Sequence, residues 1–224
     1  MNDPAENSAE VRRFVGDELR LPAVGFCRTE DLAETIDERI LPAVRELEFA
    51  IVLGHPLSNA VLDTIDDRPN LLYKHHYQQV NWRLDRAATE LALFLELRSA
   101  KAMPIPASVI VDWENQRGHL CHRTAAITAG IGWRGRHGLV VTPQFGAQMR
   151  FATVLTNIPL PPCEPMENLC GDCTACISAC PAGAISQQGC DVGKCFELLK
   201  EFSKMRGIGQ FICGVCIKAC EGGR

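Results

Sequence analysis

The chain lacks any tract of lysine and arginine, and its 23 basic residues are outnumbered by 27 acidic ones. Proteins that bind nucleic acid through its phosphates usually present a basic patch or stripe, so we expect no nucleic-acid partner. Long apolar runs are also missing, since no stretch approaches the roughly 18 residues that a membrane-spanning helix needs. We therefore expect no membrane span.

We also expect no export signal, because residues 1–10 are polar and acidic. The 12 cysteines therefore do not indicate an exported disulfide scaffold. Most of them cluster as candidate metal ligands, which predicts a chain in the reducing cytoplasm. With 224 residues and 46% hydrophobic composition, the sequence is long and apolar enough for one or two domains with a sizeable core.

Two cysteine runs near the C-terminus form the strongest pattern. The first run is closely spaced and followed by Pro181, and it consists of Cys170, Cys173, Cys176 and Cys180. The second adds an upstream cysteine to a similar run, and it consists of Cys195, Cys213, Cys216 and Cys220. Eight thiolates at such intervals can hold two [4Fe–4S] clusters. Zinc sites use paired blocks of four ligands, so we expect iron–sulfur clusters.

The ligands can be divided between the two clusters. In two-cluster ferredoxins, the fourth cysteine of such a run binds the other cluster. This rule predicts one cluster on Cys170, Cys173, Cys176 and Cys220, and another on Cys180, Cys195, Cys213 and Cys216. The segment then closes on itself as a small ferredoxin-like domain. Cys190 competes with Cys195 for a place in the second set, and Glu221 stands where a second proline would be usual.

The rest of the chain alternates helical and strand patterns, which predicts an α+β or α/β layered domain. Apolar periodicity predicts helices at about 9–19, 59–65, 73–97 and 119–130, and strands at 49–53, 138–142 and 149–156, with the last two paired. Residues 21–26 read as a strand or loop, and residues 101–110 as extended chain. Four prolines between residues 159 and 165 indicate a stiff linker. We therefore predict a first domain in residues 1–158 and a two-cluster domain in residues 159–224.

A glycine-rich loop at residues 129–138 is the richest stretch of the first domain. Its glycines would let the main chain approach a flat or bulky ligand closely. Arg134 and Arg136 are candidates for holding phosphate or carboxylate groups, and Trp133 for covering a ring. The alternative is a plain connection between a helix and a hairpin, with the arginines in solvent. The pattern alone does not decide between these interpretations.

This loop, with residues 140–146 and 152–157 and the cysteine runs, resembles the epoxyqueuosine reductase family, whose relatives are the reductive dehalogenases. The likeness is greatest to short members that lack C-terminal helical repeats. It implies a nitroreductase-like α/β domain that holds cobalamin in base-off form, followed by a ferredoxin-like domain whose two clusters feed electrons to cobalt. It also implies that the loop borders the corrinoid. The candidate cofactor-binding residues are Tyr77, Gly130, Gly132, Trp133, Arg134, Gly135 and Arg136.

The sequence departs from the family at the catalytic aspartate. Counting back from Ala129 puts that position at Gln116, with Asp112 and Glu114 out of register. An amide cannot donate a proton as a carboxylic acid can, so epoxyqueuosine reduction is not the expected activity. His119 and His122 share a helical face nearby. They are candidates for a proton donor or an axial cobalt ligand, although a core role is favoured.

The predicted function is that of an iron–sulfur oxidoreductase that passes single electrons through two clusters to bound cobalamin, reducing the corrinoid or a small substrate on it. A ferredoxin- or flavodoxin-type protein is the expected electron donor. One alternative is an electron-transfer or corrinoid-carrier protein without a substrate, and another is a flavin-dependent reductase that binds FMN. Four cysteines outside the ligand sets are expected to be structural, with Cys163 the most exposed: Cys27, Cys121, Cys163 and Cys190.

Overall fold

The computed structural model describes residues 3–222, and contacts group the chain into two compact units that interleave along the sequence. The first unit contains the residues up to His55, Asn81–Ile131 and Arg150–Met166. The second contains Pro56–Val80, Gly132–Met149 and the residues from Glu167 onward. The boundary near residue 159 divides the sequence differently, and it stays a prediction.

The first unit opens with helix α1, Pro4–Arg13, which continues as a wider π-type turn, Phe14–Glu18. Proline is tolerated in the first helical turn because the N–H that it lacks would have no partner there. Val11 and Val15 are fully buried, as their helical spacing predicts. The helix begins earlier than the expected start at about residue 9.

A four-stranded sheet is the centre of the first unit. Its strands stand in the order β1 (Ala23–Arg28), β2 (Phe49–Pro56), β6 (Met149–Thr156) and β3 (Ala102–Ile105). Strand β1 runs antiparallel to β2, and β3 runs antiparallel to β6. Strand β2 is buried without a break from Phe49 to Gly54. This matches its interior position in the sheet and confirms the predicted strand at 49–53.

Helices and turns surround this sheet within the first unit. They are a 3-10 turn (Glu30–Thr35), helix α2 (Leu41–Val44), helix α5 (His122–Thr128) and the part of helix α4 (Leu71–Glu96) from Asn81 onward. On α4, Leu84, Leu91 and Leu95 are fully buried, which confirms the predicted apolar stripe. Helix α5 starts three residues later than expected and is followed by Gly130, whose φ of 66° ends it as predicted.

The second unit is built from shorter elements. Besides helix α3, Asn59–Leu62, and the first part of α4, it contains the hairpin β4 (Trp133–Arg134) and β5 (Val140–Val141). Then follow helix α6 (Ala175–Ala179) and the hairpin of β7 (Ile185–Ser186) and β8 (Gly189–Cys190). The last elements are helices α7 (Val192–Ser203) and α8 (Val215–Lys218).

The predicted pairing of residues 138–142 with 149–156 is wrong. Strand β5 pairs with β4, while β6 pairs with β3. The glycine-rich loop itself reverses the chain, since Gly135 N donates to Leu139 O at 2.9 Å and Gly138 has a φ of 74°. Val140 therefore turns back onto Arg134, and β6 is left to join the large sheet.

Together these helices and mainly antiparallel strands give an α+β fold, which confirms the predicted class. Within residues 3–222, none of the helices combines the length and the apolar character needed to cross a membrane.

Candidate metal centre

All eight predicted cluster ligands belong to the second unit. Short elements carry them: Cys176 lies in α6, Cys195 in α7 and Cys216 in α8. The remaining five lie in loops or at helix ends, at Cys170, Cys173, Cys180, Cys213 and Cys220. None of the eight forms a disulfide, so all eight thiols are available as ligands.

One set of thiols surrounds Cys176. Burial raises the pKa of the Cys176 thiol, and the nearby thiolates of Cys220, Cys170 and Cys173 raise it further. Burial also raises the pKa of Cys220, and Cys170 and Cys173 add to this effect. These electrostatic neighbours are the four residues of the first predicted ligand set.

A second set surrounds Cys213 and Cys216. Burial raises the pKa of Cys213 to about 11, and the thiolates of Cys195 and Cys180 contribute. Burial also raises the pKa of Cys216, and Cys213, Cys195, Cys180 and, last, Cys176 act in the same direction. Of the second predicted set, Cys195 and Cys180 act on Cys213, and all three other members act on Cys216.

The cysteines of the two sets are not arranged as ligands of a single metal ion. In the part of the chain that the structure describes, no three His, Cys, Asp or Glu side chains are placed to hold one metal ion. Four cysteines bind a [4Fe–4S] cluster through different iron atoms, so their spacing differs from that around one zinc ion. This arrangement agrees with the cluster interpretation, which rests on the cysteine spacing. The assignment of individual ligands stays a prediction.

Hydrogen bonds fix the loop of the first run to the β4–β5 hairpin. Asn168 accepts from Cys170 N at 2.9 Å and donates from its side chain to Arg134 O at 3.0 Å. The Arg136 guanidinium donates to the carbonyl oxygens of Cys173, Gly171 and Cys170 at 2.7, 2.5 and 3.4 Å. Arg136, a candidate for phosphate or carboxylate, thus binds main-chain carbonyls of the cysteine loop.

The end of the second run is held by neighbouring main chain of the same unit. Ala147 N donates to Cys220 O at 3.1 Å, and the Gln148 side chain donates to Lys218 O at 3.3 Å. A Cβ at Gly146 would collide with Cys220 O. Glycine at this position is therefore needed for the close approach of the two segments.

The glycine-rich loop packs tightly against its own hairpin. A side chain at Gly132 would collide with Val141 O, and one at Gly135 would lie 2.7 Å from the His137 ring. Trp133 is only 2% exposed, so its indole is a core side chain of the second unit. These contacts support the interpretation of the loop as a structural connection. Its role as a cofactor border stays a prediction.

Two buried N–H groups on this hairpin lack a hydrogen-bond partner among the described residues. They are Trp133 Nε1 and His137 Nε2. The other ring nitrogen of His137, Nδ1, accepts from Leu139 N at 3.1 Å, so Nε2 carries the proton. Burial lowers the pKa of His137 to about 4. An unpaired buried donor costs about 1–3 kcal/mol, and such donors call for an acceptor. Sulfur of a cluster or a polar cofactor edge fits this need.

Tyr77, the remaining cofactor candidate, lies on the second unit's part of α4. It is half-buried, with its ring edge-on to Tyr73 at a centroid distance of 6.2 Å. Gly130, in contrast, belongs to the first unit, where a Cβ would collide with Glu164 O. The seven candidates are therefore divided between the two units.

The first unit holds the carboxylate nearest to the expected proton-donor position. Asp112 accepts from the main-chain N–H of Asn115 and Glu114, both at 3.0 Å, and from the Asn115 side chain at 2.8 Å. The hydrogen bond from the main-chain N–H of Asn115 contributes most to lowering the pKa of Asp112. Gln116 has a φ of 54° and donates from its side chain to Trp113 O. This turn presents an ionised carboxylate and an amide instead of a carboxylic acid.

The two histidines of the first unit differ in their surroundings. His122 is bonded through Nδ1 to Thr153 Oγ1 at 2.8 Å and through Nε2 to Pro106 O at 2.9 Å. Burial lowers the pKa of His122 to about 4. Both ring nitrogens are therefore occupied, which supports its core role. His119 Nδ1 is buried without a partner among the described residues, while the carbonyl of His119 accepts from Asp37 N.

The four other cysteines do not share one environment. Burial raises the pKa of Cys27 to about 12, which agrees with a structural role. Cys163 is half-buried, and its sulfur accepts from Arg12 at 3.5 Å. At Cys121, burial opposes the shift, but hydrogen bonds from Thr124 lower the pKa. Cys190 lies in β8, with its Cβ 3.9 Å from where a Cβ at Gly138 would stand.

Comparison with known proteins gives relatives of one kind. No family profile matches the chain. The epoxyqueuosine reductase of Bacillus cereus is 31% identical over 210 residues, which cover 88% of this chain and 53% of that protein. The enzyme of the same name from Bacillus subtilis is 27% identical over 85% of this chain and 50% of its own length. The chain thus spans about half the length of these curated relatives.

Solved structures show the same fold. A catabolic reductive dehalogenase in complex with 3-bromo-4-hydroxybenzoic acid aligns with a TM-score of 0.78 and 21% identity, over 98% of this chain and 32% of its own. Epoxyqueuosine reductase with an epoxyqueuosine-modified tRNA stem loop aligns with a TM-score of 0.66 and 19% identity, over 97% and 65%. A further dehalogenase structure, with a TM-score of 0.78, bears on B12-dependent dehalogenation.

Proposed function

We propose that this chain, which belongs to the epoxyqueuosine reductase and reductive dehalogenase-related family, is an iron–sulfur oxidoreductase that passes single electrons through two [4Fe–4S] clusters to a bound corrinoid. The observation that carries the proposal is the presence of eight free cysteines in the second unit, at the intervals of two cluster-binding runs. Clusters of this type transfer one electron at a time and reach potentials of about −400 mV or lower.

In this function the chain's own residues would hold the two clusters, fix the cysteine loops and tune the clusters. Cys170, Cys173, Cys176 and Cys220 would hold one cluster, and Cys180, Cys195, Cys213 and Cys216 the other. The surrounding main chain and the hairpin would fix the loops and tune the clusters through hydrogen bonds and charge. The buried N–H groups of Trp133 and His137 are the donors suited to that tuning.

A corrinoid is the proposed acceptor because of the likeness to solved reductive dehalogenases. One of the matched structures concerns a B12-dependent dehalogenase, and the fold likeness extends over nearly the whole chain. When bound, a corrinoid would supply a cobalt centre that can be reduced to a strong nucleophile. A ferredoxin- or flavodoxin-type protein is the proposed donor of the electrons, in the cytoplasm.

Reduction of epoxyqueuosine itself is not proposed. The position of the family's catalytic aspartate is occupied by Gln116, whose side chain donates to Trp113 O. Asp112 beside it is held ionised by three hydrogen bonds, so it is poorly suited to protonate a substrate. This turn favours the second candidate function, in which the protein reduces or carries the corrinoid and has no substrate of its own.

Spectroscopic titration tests the proposal. The full chain, reconstituted anaerobically with iron and sulfide, is titrated with cobalamin and then reduced. We expect a saturable change in the cobalamin bands at micromolar protein, followed by further change on reduction. If cobalamin's spectrum is unaffected, the corrinoid proposal fails. A yellow chromophore on addition of FMN, bleached by two electrons, would instead support a flavin-dependent reductase.

A further inference from the structure

Arg136 occupies an unusual position for an arginine of a ligand-binding loop. It lies in the turn of the β4–β5 hairpin, half-buried, and its guanidinium is directed at main chain. Nη1 donates to Cys173 O at 2.7 Å and to Cys170 O at 3.4 Å, while Nη2 donates to Gly171 O at 2.5 Å. All three acceptors belong to the loop that carries the first two cysteines of the first run.

These bonds constrain a loop that has little other structure. Cys173 N donates to Cys170 O at 3.0 Å, and Gly171 has a φ of 47°, so the loop is a tight turn outside any helix or strand. Three carbonyl groups held by one planar cation cannot rotate independently. The relative placement of Cys170 and Cys173 is therefore set by the arginine as well as by the turn.

The charge of Arg136 has a second consequence. A cluster gains negative charge on reduction, and a nearby cation stabilises the reduced form more than the oxidised form. In the second run, Lys218 lies between Cys216 and Cys220. Its ammonium instead donates to Asp63 O at 3.2 Å and Ile65 O at 2.6 Å, outside either cysteine loop.

We propose that Arg136 is a positioning residue of the first cluster, which holds the Cys170–Cys173 loop in its ligating shape and raises the reduction potential of that cluster. This proposal rests on the proposed pair of clusters. It assigns to Arg136 a role different from that of a phosphate or carboxylate ligand.

Two measurements on Arg136→Gln test it in the reconstituted full chain. Redox titration followed by electron paramagnetic resonance should show one of two waves moving to lower potential. We expect about a tenfold fall in that cluster's reduction equilibrium constant, which is about 59 mV for one electron. The moving wave should be the one that Cys173→Ser also shifts. Iron release to a chelator should be about tenfold faster for half of the iron.

Two further variants separate charge from shape. Arg136→Lys keeps the charge but cannot span three carbonyls, so the potential should stay near that of the wild type while iron release is faster. Arg206→Gln removes one positive charge from an exposed side chain of the same unit and should change neither measurement. If Arg136→Gln does not fold, the rate of iron release from Arg136→Lys decides.

The outcomes distinguish this inference from the function on which it rests. A wild-type chain that holds far fewer than about eight iron atoms contradicts both. If the wild type holds two clusters, and Arg136→Gln matches it in potential and in iron release, only the role of Arg136 is wrong. A wild-type rate of iron release from Arg136→Lys would contradict the role in the same way.

Discussion

The two units of this protein obtain their order in different ways. The first has a four-stranded sheet, buried strands of up to eight residues and a leucine stripe on α4. In the second, four of the strands have two residues each, and α7, its longest complete helix, has no fully buried residue. A unit with so little regular structure resembles small metal-binding domains, whose folding energy comes largely from the metal.

Both units contain buried polar groups. In the first unit, His122 has a partner at each ring nitrogen, and Asp85 accepts from Ala107 N at 2.7 Å. In the second, Trp133 and His137 bury N–H groups that lack an acceptor among the described residues. Thr29 Oγ1 and His119 Nδ1 of the first unit also lack a partner among the described residues. The two units therefore differ in regular structure and in their cysteines, and not in the pairing of buried polar groups.

Removal of iron should give the largest difference between the two units. With an anaerobic chelator, we expect amide hydrogen exchange in residues 168–180 and in α7 to become at least tenfold faster, because the cluster ligands organise these segments. Exchange in β2 and β6 should change little. Equal loss of protection in both units, or in neither, would contradict the division.

Substitution of single cysteine ligands should distinguish the two clusters of the second unit. Cys180→Ala should lower the iron content by about half, because its cluster also needs Cys195, Cys213 and Cys216. Adding Cys213→Ala to this variant should remove no more iron, whereas adding Cys173→Ala should remove the rest. Cys163→Ala serves as the control, because Cys163 lies in the first unit, and it should keep all the iron. Any other pairing of losses would show that the partition is wrong.

A core substitution should affect the first unit alone. Leu91 is fully buried on α4, and Leu91→Ala should lower the free energy of unfolding by about 2–5 kcal/mol through lost packing and a cavity. On the same helix Leu93 is 55% exposed, so Leu93→Ala should cost about 0.5 kcal/mol or less. Urea unfolding monitored by circular dichroism measures both. Similar losses in the two variants would contradict the proposed orientation of α4.

The smallest effect concerns pH. Burial lowers the pKa of His122 from 6.5 to about 4, so the unfolded chain binds this proton more readily than the folded one. The resulting stability is present above the unfolded pKa and is lost as pH falls towards the folded one. Between pH 7 and pH 5 the loss should be about 2 kcal/mol.

Urea midpoints measured across this range test the prediction. His122→Gln should be less stable than the wild type but less sensitive to pH, while the exposed His75→Gln should keep the wild-type slope. An unchanged slope in His122→Gln would show that this histidine does not titrate as its burial implies.

Much of the first unit could be predicted because its signals are local. The apolar run of β2 and the leucine spacing on α4 follow directly from side-chain periodicity. The partner of β5 could not be predicted in this way, since Val140 can pair with either neighbour until the turn at Gly135–Gly138 is known. The early start of α1 was hidden by the polar residues around Pro4.

For the candidate site too, some features could be predicted from the sequence and others could not. Cysteine spacing, with the rule from two-cluster ferredoxins, is enough to predict two sets of ligands, because ligand intervals are a property of the chain. The sets themselves stay a prediction. The contacts of Arg136 could not be foreseen, since an arginine beside glycines is equally compatible with an anion, solvent or main-chain carbonyls. The unpartnered N–H groups of Trp133 and His137 are a property of three-dimensional packing, and the sequence carries no signal for them.

Iron and acid-labile sulfide, counted per chain after anaerobic reconstitution of the intact protein, test the central claim most directly. Two cubanes predict about eight atoms of each, with two separate one-electron waves on reduction. A ratio that saturates at about four, or at a single zinc ion per chain, would contradict the account.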